Sequence, residues 1–147
     1  MDQLATARVG DLPLRAHATV GPRTVMHDVV DAMTARGRGA VLVEDGGQLV
    51  GIFTERDLLN RVDHEDPLWS HVVIEDVMTP QPMVVHADDS LAEALRRLVA
   101  GHRRHLPVVD ERGHVTGLLS IRDLLAFVAR RYPDEVVNVP PAPAALS

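Results

Sequence analysis

Two short segments of this chain, 66 positions apart, combine the residue types of an anion or diol site. They read Gly51-Ile-Phe-Thr-Glu-Arg-Asp-Leu-Leu and Gly117-Leu-Leu-Ser-Ile-Arg-Asp-Leu-Leu. In each, a glycine and apolar residues lead to a hydroxyl residue, with an aspartate three positions later. A helix that begins after such a strand offers free backbone amides to an anion. The aspartates, Asp57 and Asp123, could each accept from both hydroxyls of a ribose diol, and Thr54 and Ser120 could donate to a phosphate or ribose oxygen.

The same spacing also fits a purely structural role. A hydroxyl residue three places before an acid at a helix start resembles a capping box, which stabilises a helix by about 1 kcal/mol. Two observations favour a ligand. A capping box would accept glutamate equally well, yet Asp57 and Asp123 are both aspartate. Arg38 and Arg104 also fall at matched positions, each before the central strand of its copy. Both interpretations stay open at this point.

The surrounding pattern predicts the same element order, β-α-β-β-α, in each copy. In the first copy the predicted elements are a strand at Ala18–Val20, a helix over Thr24–Ala35 capped by Thr24, antiparallel strands Ala40–Glu44 and Leu49–Phe53, and a helix over Glu55–Val62. In the second copy they are a strand at Met83–His86, a helix from the cap Ser90 to Ala100 that Gly101 ends, strands Leu106–Asp110 and Val115–Leu119, and a helix over Ile121–Arg131.

The expected fold class is α+β (mixed α/β). Because neither copy alone carries enough apolar surface for a stable core, we expect two tandem repeats, residues 8–62 and 74–131, to pack face to face as a pseudo-twofold pair. Residues 63–73 form the linker, in which Trp69 anchors the crossover on the core. Residues 132–147, rich in proline, are expected to be a flexible tail; the alternative is an ordered, strand-like arm that docks on a neighbour.

Composition excludes several classes of function. The chain has 147 residues, no cysteine and a net charge of −6, which excludes thiolate chemistry and argues against nucleic-acid binding. Its apolar runs are too short for a membrane span, and it lacks a signal-peptide pattern, so we expect a cytoplasmic protein. It has no P-loop, no Ser-His-acid arrangement and no histidine–carboxylate metal motif. We therefore expect neither an enzyme nor a resident metal or cofactor.

The span from about Asp11 to Arg131 resembles a tandem pair of CBS domains, the regulatory modules named for cystathionine β-synthase. The resemblance is carried by Val77-Met-Thr-Pro, by Arg104-His-Leu-Pro-Val-Val-Asp and by the two Gly-x-x-[Ser/Thr]-x-x-Asp segments. The first repeat departs from the pattern: it has Val9-Gly-Asp-Leu-Pro at its entrance and Arg38-Gly-Ala-Val before its central strand.

The resemblance implies two symmetry-related clefts between the repeats that bind AMP, ADP, ATP or S-adenosylmethionine. By position, the aspartates would hold ribose hydroxyls and the hydroxyl residues would contact ribose or phosphate. Residues flanking the central strands would line adenine or phosphates. The implied nucleotide-binding residues are Thr54, Asp57, Ser120, Asp123, Arg38, Gly39, Ala40, Arg104, His105, Leu106 and Pro107, with Val84 and His86 as weaker candidates.

The resemblance further implies a stand-alone regulatory module, for instance in energy sensing, that forms a homodimer and acts on a partner in trans. The helices Leu58–Val62 and Leu124–Val128 could supply the dimer faces, or they could equally be internal. The alternative is a protein-interaction or oligomerisation module without a ligand, which the departures in the first repeat favour.

The basic cluster Gly101-His-Arg-Arg-His105 allows two interpretations. Its side chains could complement the C-terminal end of the preceding helix. Alternatively, Arg103 or Arg104 could bind phosphate, with His105 as a titratable partner. The absence of a clearly placed third ligand argues against a metal site there.

Overall fold

The computed structural model describes residues 6–36 and 39–131. They form two compact units. Unit I comprises Ala16–Pro82 and Gly113–Val115, and unit II comprises residues 6–15, Met83–Arg112 and residues 116–131. The predicted tail, residues 132–147, and Arg38 lie outside the described residues.

Unit I contains a sheet in the order β1-β2-β3-β4. Its strands are Ala18–Val20 (β1), Ala40–Asp45 (β2), Gln48–Thr54 (β3) and Thr79–Pro80 (β4), and its helices are Met26–Arg36 (α1) and Glu55–Arg61 (α2). Strand β1 runs parallel to β2, and β3 runs antiparallel to both β2 and β4. The β2–β3 turn uses Gly46 and Gly47 at φ of 59° and 82°, a region that glycine enters without steric cost.

The core of unit I is aliphatic except for Phe53, as the scarcity of aromatic residues requires. Phe53 is fully buried with Val41, Val43, Met26 and Val29. The predicted antiparallel pair and its turn are confirmed. Strand β4 was not predicted, because two residues of Thr79-Pro80 give no periodic signal.

The linker packs onto this core. Trp69 lies in a single 3-10 turn, Trp69–His71, against the buried cluster, and its ring centroid is 5.5 Å from that of His64. The predicted anchoring role of Trp69 is confirmed. The predicted cap, Thr24, is wrong: α1 begins at Met26. Val25 pairs with Val73, and the Ile74 N–H donates to the Thr24 carbonyl at 2.9 Å, so the chain stays extended through these positions.

Unit II repeats the element order around its own sheet, β5-β6-β7. The elements are Val85–His86 (β5), Leu91–Ala100 (α3), His105–Val109 (β6), Val115–Ser120 (β7) and Ile121–Arg131 (α4), with β5 parallel to β6. The predicted cap Ser90 is confirmed, since its Oγ accepts from the Glu93 N–H at 3.1 Å. Gly101 ends α3 as predicted, donating its N–H to the Arg97 carbonyl.

The N-terminal segment of the chain packs in unit II. Val9 and Leu12 are buried in its core with residues of α3 and β6. Arg15 forms an isolated bridge to Leu118 on β7, just as Thr79 of β4 pairs with Ile52 on β3 in unit I. Each repeat begins with a short entrance segment, residues 9–15 in the first and residues 77–80 in the second. Each entrance segment joins the sheet of the other copy, so the packing units differ from the sequence repeats.

The β-α-β-β-α order and the mixed α/β fold class are confirmed. Over the ranges described, no helix is both long enough and apolar enough to cross a membrane.

Candidate functional site

In unit I, Thr54 and Asp57 form a complete capping box at the start of α2. Thr54 is extended, and its Oγ1 accepts from the Asp57 N–H at 3.2 Å. In return, Asp57 Oδ2 accepts from the Thr54 N–H at 3.0 Å. The capping interpretation is therefore confirmed for this copy. The aspartate is therefore held by its own helix.

The other oxygen of Asp57 faces an arginine one helical turn away. Asp57 Oδ1 lies 3.5 Å from Arg61 Nε, and the Asp57 side chain is only 13% exposed. Arg61 has further partners, because its Nη1 donates to the carbonyls of Val77 and Met78 at 3.2 and 3.3 Å. Those two carbonyls lead directly into β4.

In unit II, the matching aspartate is held by a distant arginine. Ser120 is buried, and its Oγ accepts from the Asp123 N–H at 3.0 Å. Arg15 Nε donates to Asp123 Oδ2 at 2.6 Å, and Arg15 Nη2 donates to Asp123 Oδ1 at 2.8 Å. This two-point geometry is the strongest arrangement for an arginine–carboxylate pair. The hydrogen bond to Asp123 raises the pKa of the Arg15 guanidinium.

The backbone around Arg15 explains how it reaches Asp123. The Arg15 N–H faces the Leu118 carbonyl at 3.4 Å. The preceding side chain, Leu14, packs over Gly117 so closely that a Cβ on that glycine would lie 2.7 Å from Leu14 Cβ. Because Gly117 has no Cβ, the entrance segment can pack against the sheet at this position. Gly51 does the same for Met78 in unit I.

Arg15 is a site residue that the sequence analysis missed. Its counterpart by sheet pairing is Thr79, which stands 64 positions later, whereas the strands themselves repeat at 66. This offset hides the match in an ungapped comparison. The sequence does carry one signal for this residue, since Arg15 stands where the second repeat has Thr79 of its Met-Thr-Pro segment.

The residues before the central strands lie against the starts of the second helices. The Glu55 N–H donates to the Gly39 carbonyl at 2.9 Å, and the Ile121 N–H donates to the Arg104 carbonyl at 2.8 Å. Ala40, buried, pairs with Thr54 in the sheet. Gly39 and Ala40 are thereby brought next to Thr54 and Asp57, and Arg104 is brought next to Ser120 and Asp123.

The remaining predicted residues of β6 differ in what they can offer. The Leu106 side chain is fully buried in the core of unit II, and Pro107 is buried as well. These buried side chains hold β6 in place in the core of unit II. His105 is half-buried and Arg104 is exposed. Of the weaker candidates, Val84 already gives its carbonyl to Arg97, and His86 is exposed.

The basic cluster after α3 completes the helix with backbone rather than side-chain donors. The N–H groups of Gly101, His102 and Arg103 donate to the carbonyls of Arg97, Val99 and Leu98. His102 adopts a φ of 51° to make this turn. Arg103 lies folded back on Gly101, and its Nε is buried without a hydrogen bond in the described part of the chain.

His17 is a second polar residue that the sequence analysis did not select. It directly precedes β1, where the β1–β2 register places it beside Ala40. Its Nδ1 is buried and has no hydrogen-bond partner among the residues described. A buried polar atom of this kind calls for an explanation, such as a water or a ligand group.

Comparison with known sequences gives the same result for both halves of the chain. The family model for the CBS domain matches residues 9–64 and 74–130. The chain is 39% identical over 118 residues to CBS domain-containing protein CBSCBSPB2 of Arabidopsis thaliana, covering 80% of this chain and 22% of that protein. It is 38% identical over 122 residues to Meiotically up-regulated gene 70 protein of Schizosaccharomyces pombe, covering 82% and 16% respectively. The chain thus spans about a fifth of the length of these relatives.

Solved structures share the fold over most of the chain. A CBS-domain containing protein from Agrobacterium tumefaciens is 30% identical with a TM-score of 0.73, covering 82% of this chain and 98% of that one. The CBS-pair protein CBSX2 of Arabidopsis thaliana, solved in complex with AMP, is 28% identical with a TM-score of 0.71, covering 84% and 97%.

Proposed function

Because this chain belongs to the CBS domain family, we propose that it is a regulatory module that binds an adenosine-containing ligand and acts on a partner in trans. CBS pairs are regulatory modules, and the relative CBSX2 is in complex with AMP. One observation in this chain carries the proposal. Each unit holds an aspartate, Asp57 or Asp123, in the first turn of a helix, directly after a glycine-containing strand and with its N–H on a hydroxyl oxygen.

Each of these aspartates would accept the two hydroxyls of a ribose. Asp57 is suited to this role because its backbone and Oδ2 are fixed by the capping box, while Oδ1, within the described part of the chain, has only a 3.5 Å approach from Arg61. A pre-positioned acceptor loses little conformational entropy on binding. The main chain at Gly39–Ala40 and at Arg104–His105 would contact the base or the phosphates of AMP, ADP, ATP or S-adenosylmethionine.

We propose binding rather than catalysis as the output of this site. In the described residues, the carboxylates of Asp57 and Asp123 are occupied by arginines and backbone amides. Such groups are suited to accept hydrogen bonds from a ligand. Regulation then requires that the ligand bind one conformation more tightly than another, and that a partner distinguish the two. A response to the ratio of adenine nucleotides would make the protein an energy sensor.

The proposed oligomer is a homodimer. Leu59 on α2 and Leu125 on α4 occupy matched positions in the two repeats, and they are 75% and 47% exposed. Large apolar side chains exposed at both matched positions favour coverage by a second copy.

Isothermal titration with AMP, ATP, NAD and S-adenosylmethionine tests the ligand, with stoichiometry reported per chain. Binding should also raise the melting temperature, because a ligand that binds only the native state stabilises it. Asp57→Ala and Asp123→Ala should each remove one site while leaving a folded protein.

The second candidate function is a ligand-free interaction or oligomerisation module. The occupation of both Asp123 oxygens by Arg15 favours it, since that carboxylate is already satisfied without a ligand. If none of the four compounds shifts the melting temperature at millimolar concentration, the regulatory proposal fails and the interaction module takes its place.

A further inference from the structure

We propose that Arg15 is a specificity-determining residue, which makes the Asp123 site select a phosphorylated nucleoside over an uncharged one. This proposal rests on the proposed function, because it takes Asp123 to be the acceptor of a ribose diol. The two sites differ in the hydrogen-bond acceptors that each arginine keeps after a diol has bound to its aspartate.

Arg15 occupies the atoms that a diol would need. Its Nε and Nη2 donate to the two separate oxygens of Asp123, at 2.6 and 2.8 Å. A vicinal diol also approaches a carboxylate with two donors, one for each oxygen. The diol must therefore displace Arg15 or push it aside, and the guanidinium then needs a new acceptor.

Asp123 is the only acceptor of the Arg15 guanidinium among the residues described. After displacement by an uncharged nucleoside, Arg15 would face water alone. A nucleoside that carries a phosphate would supply a replacement anion, and arginine binds phosphate with the same two-point geometry as carboxylate. The phosphate thereby offsets the loss of the ion pair.

Arg61 in unit I does not create this requirement. It keeps the carbonyls of Val77 and Met78 as acceptors when Asp57 turns to a ligand. An uncharged diol therefore disturbs Asp57 less than it disturbs Asp123. The two aspartates occupy matched positions of the duplicated segment, and they should differ in ligand selectivity.

Arg15 is also placed so that it stays near the site. Its backbone bridges to Leu118, and Leu14 is fixed against Gly117. The Arg15 guanidinium is charged at any pH near neutrality. Because its side chain is 39% exposed, water compensates part of the lost ion pair, and we expect a selectivity of about fivefold rather than a strict exclusion.

The test compares AMP with adenosine by isothermal titration of an Asp57→Asn variant, in which the unit I site is weakened. We expect AMP to bind about five times more tightly than adenosine. Arg15→Thr introduces the residue that unit I carries at the paired position, Thr79. This substitution should reduce the ratio of the association constants of AMP and adenosine about fivefold, mainly because adenosine should bind the variant more tightly.

Arg8→Thr is the matched control, since it removes the same charge from the same segment. Arg8 contacts the Asp88 carbonyl and not Asp123, so the ratio should not change. Arg15→Gln is the second variant if Arg15→Thr does not fold, as judged by circular dichroism and thermal unfolding.

Three outcomes overturn the assignment of Arg15. They are equal binding of AMP and adenosine to the Asp57→Asn protein, a ratio that the Arg15 variants leave unchanged, and loss of all AMP binding with Asp57→Asn alone. If AMP fails to bind even the wild-type protein, the proposed function is itself overturned, and the assignment with it.

Discussion

The Arg15 guanidinium donates hydrogen bonds to both carboxylate oxygens of Asp123, although 108 positions of sequence separate the two residues. The matching aspartate, Asp57, takes its arginine from one turn along its own helix. A duplicated motif has thus acquired two different electrostatic environments. The difference arises in the entrance segments, where Arg15 pairs with β7 and Thr79 pairs with β3.

The Arg15–Asp123 pair should contribute modestly to stability. A double-mutant cycle with Arg15→Ala and Asp123→Ala, read by urea unfolding, should give a coupling of about 1 kcal/mol, because the geometry is two-point but both side chains are partly exposed. The coupling should weaken in molar salt. A coupling near zero in dilute buffer would show that the pair does not contribute to the free energy of unfolding.

The guanidinium side of this pair should not titrate near neutral pH. The pKa of Arg15 is raised, so its stabilising contribution is full at every pH below the ordinary arginine pKa. It is lost only as pH rises through the higher folded-state value, far into the alkaline range. The coupling should therefore stay constant between about pH 6 and pH 9. A decline within this window would show that another group controls the interaction.

Alanine at the two matched glycines should have unequal effects. A Cβ at Gly117 would lie 2.7 Å from Leu14 Cβ, an atom next to the backbone, so the entrance segment itself must move. At Gly51 the close atoms belong to the Met78 side chain, which can change its rotamer. Gly117→Ala should cost about 1–3 kcal/mol and Gly51→Ala less than about 1 kcal/mol. Chemical unfolding measures both, and equal losses would refute this distinction.

Two substitutions at Asp57 should separate its capping role from ligand binding. Asparagine keeps an oxygen for the Thr54 N–H and should change stability by less than about 0.5 kcal/mol, whereas alanine should cost about 1 kcal/mol. Both should weaken AMP binding at unit I by about tenfold or more, because the charged acceptor is lost. Titration and thermal unfolding are measured on the same samples.

Glu55→Gln is the control for this pair. Glu55 is exposed in the same helical turn and is not part of the capping box. Its substitution by glutamine removes a charge and should leave AMP affinity unchanged. Tight AMP binding by Asp57→Ala would show that Asp57 does not receive the ligand.

The proposed dimer makes Leu59 and Leu125 sensitive to charge. Leu59→Glu and Leu125→Glu should each raise the dimer dissociation constant at least about tenfold, because a carboxylate would be buried in an apolar contact. Sedimentation velocity over a concentration series measures this. Leu68→Glu, at a 64% exposed residue of the linker, should have no effect. A wild-type protein that sediments as a monomer would exclude the homodimer.

The sequence by itself determined the local structure. The duplication, the apolar periodicity and the turn and cap residues gave the order β-α-β-β-α twice, along with the cap at Ser90, the glycine stop at Gly101 and the capping box of Thr54 and Asp57. These features depend on residues a few positions apart, whose interactions follow from spacing alone. Where the local prediction was wrong, at Thr24, a bridge from the distant Val73 had displaced the helix start.

Only the tertiary structure decided which segments share a core and what surrounds each aspartate. The entrance segments pair with the sheet of the other copy, and a difference of two positions in spacing conceals that Arg15 stands where Thr79 does. No periodicity encodes a contact across 108 positions. It arises because Gly117 leaves room for Leu14 and the adjoining backbone carries Arg15 to Asp123.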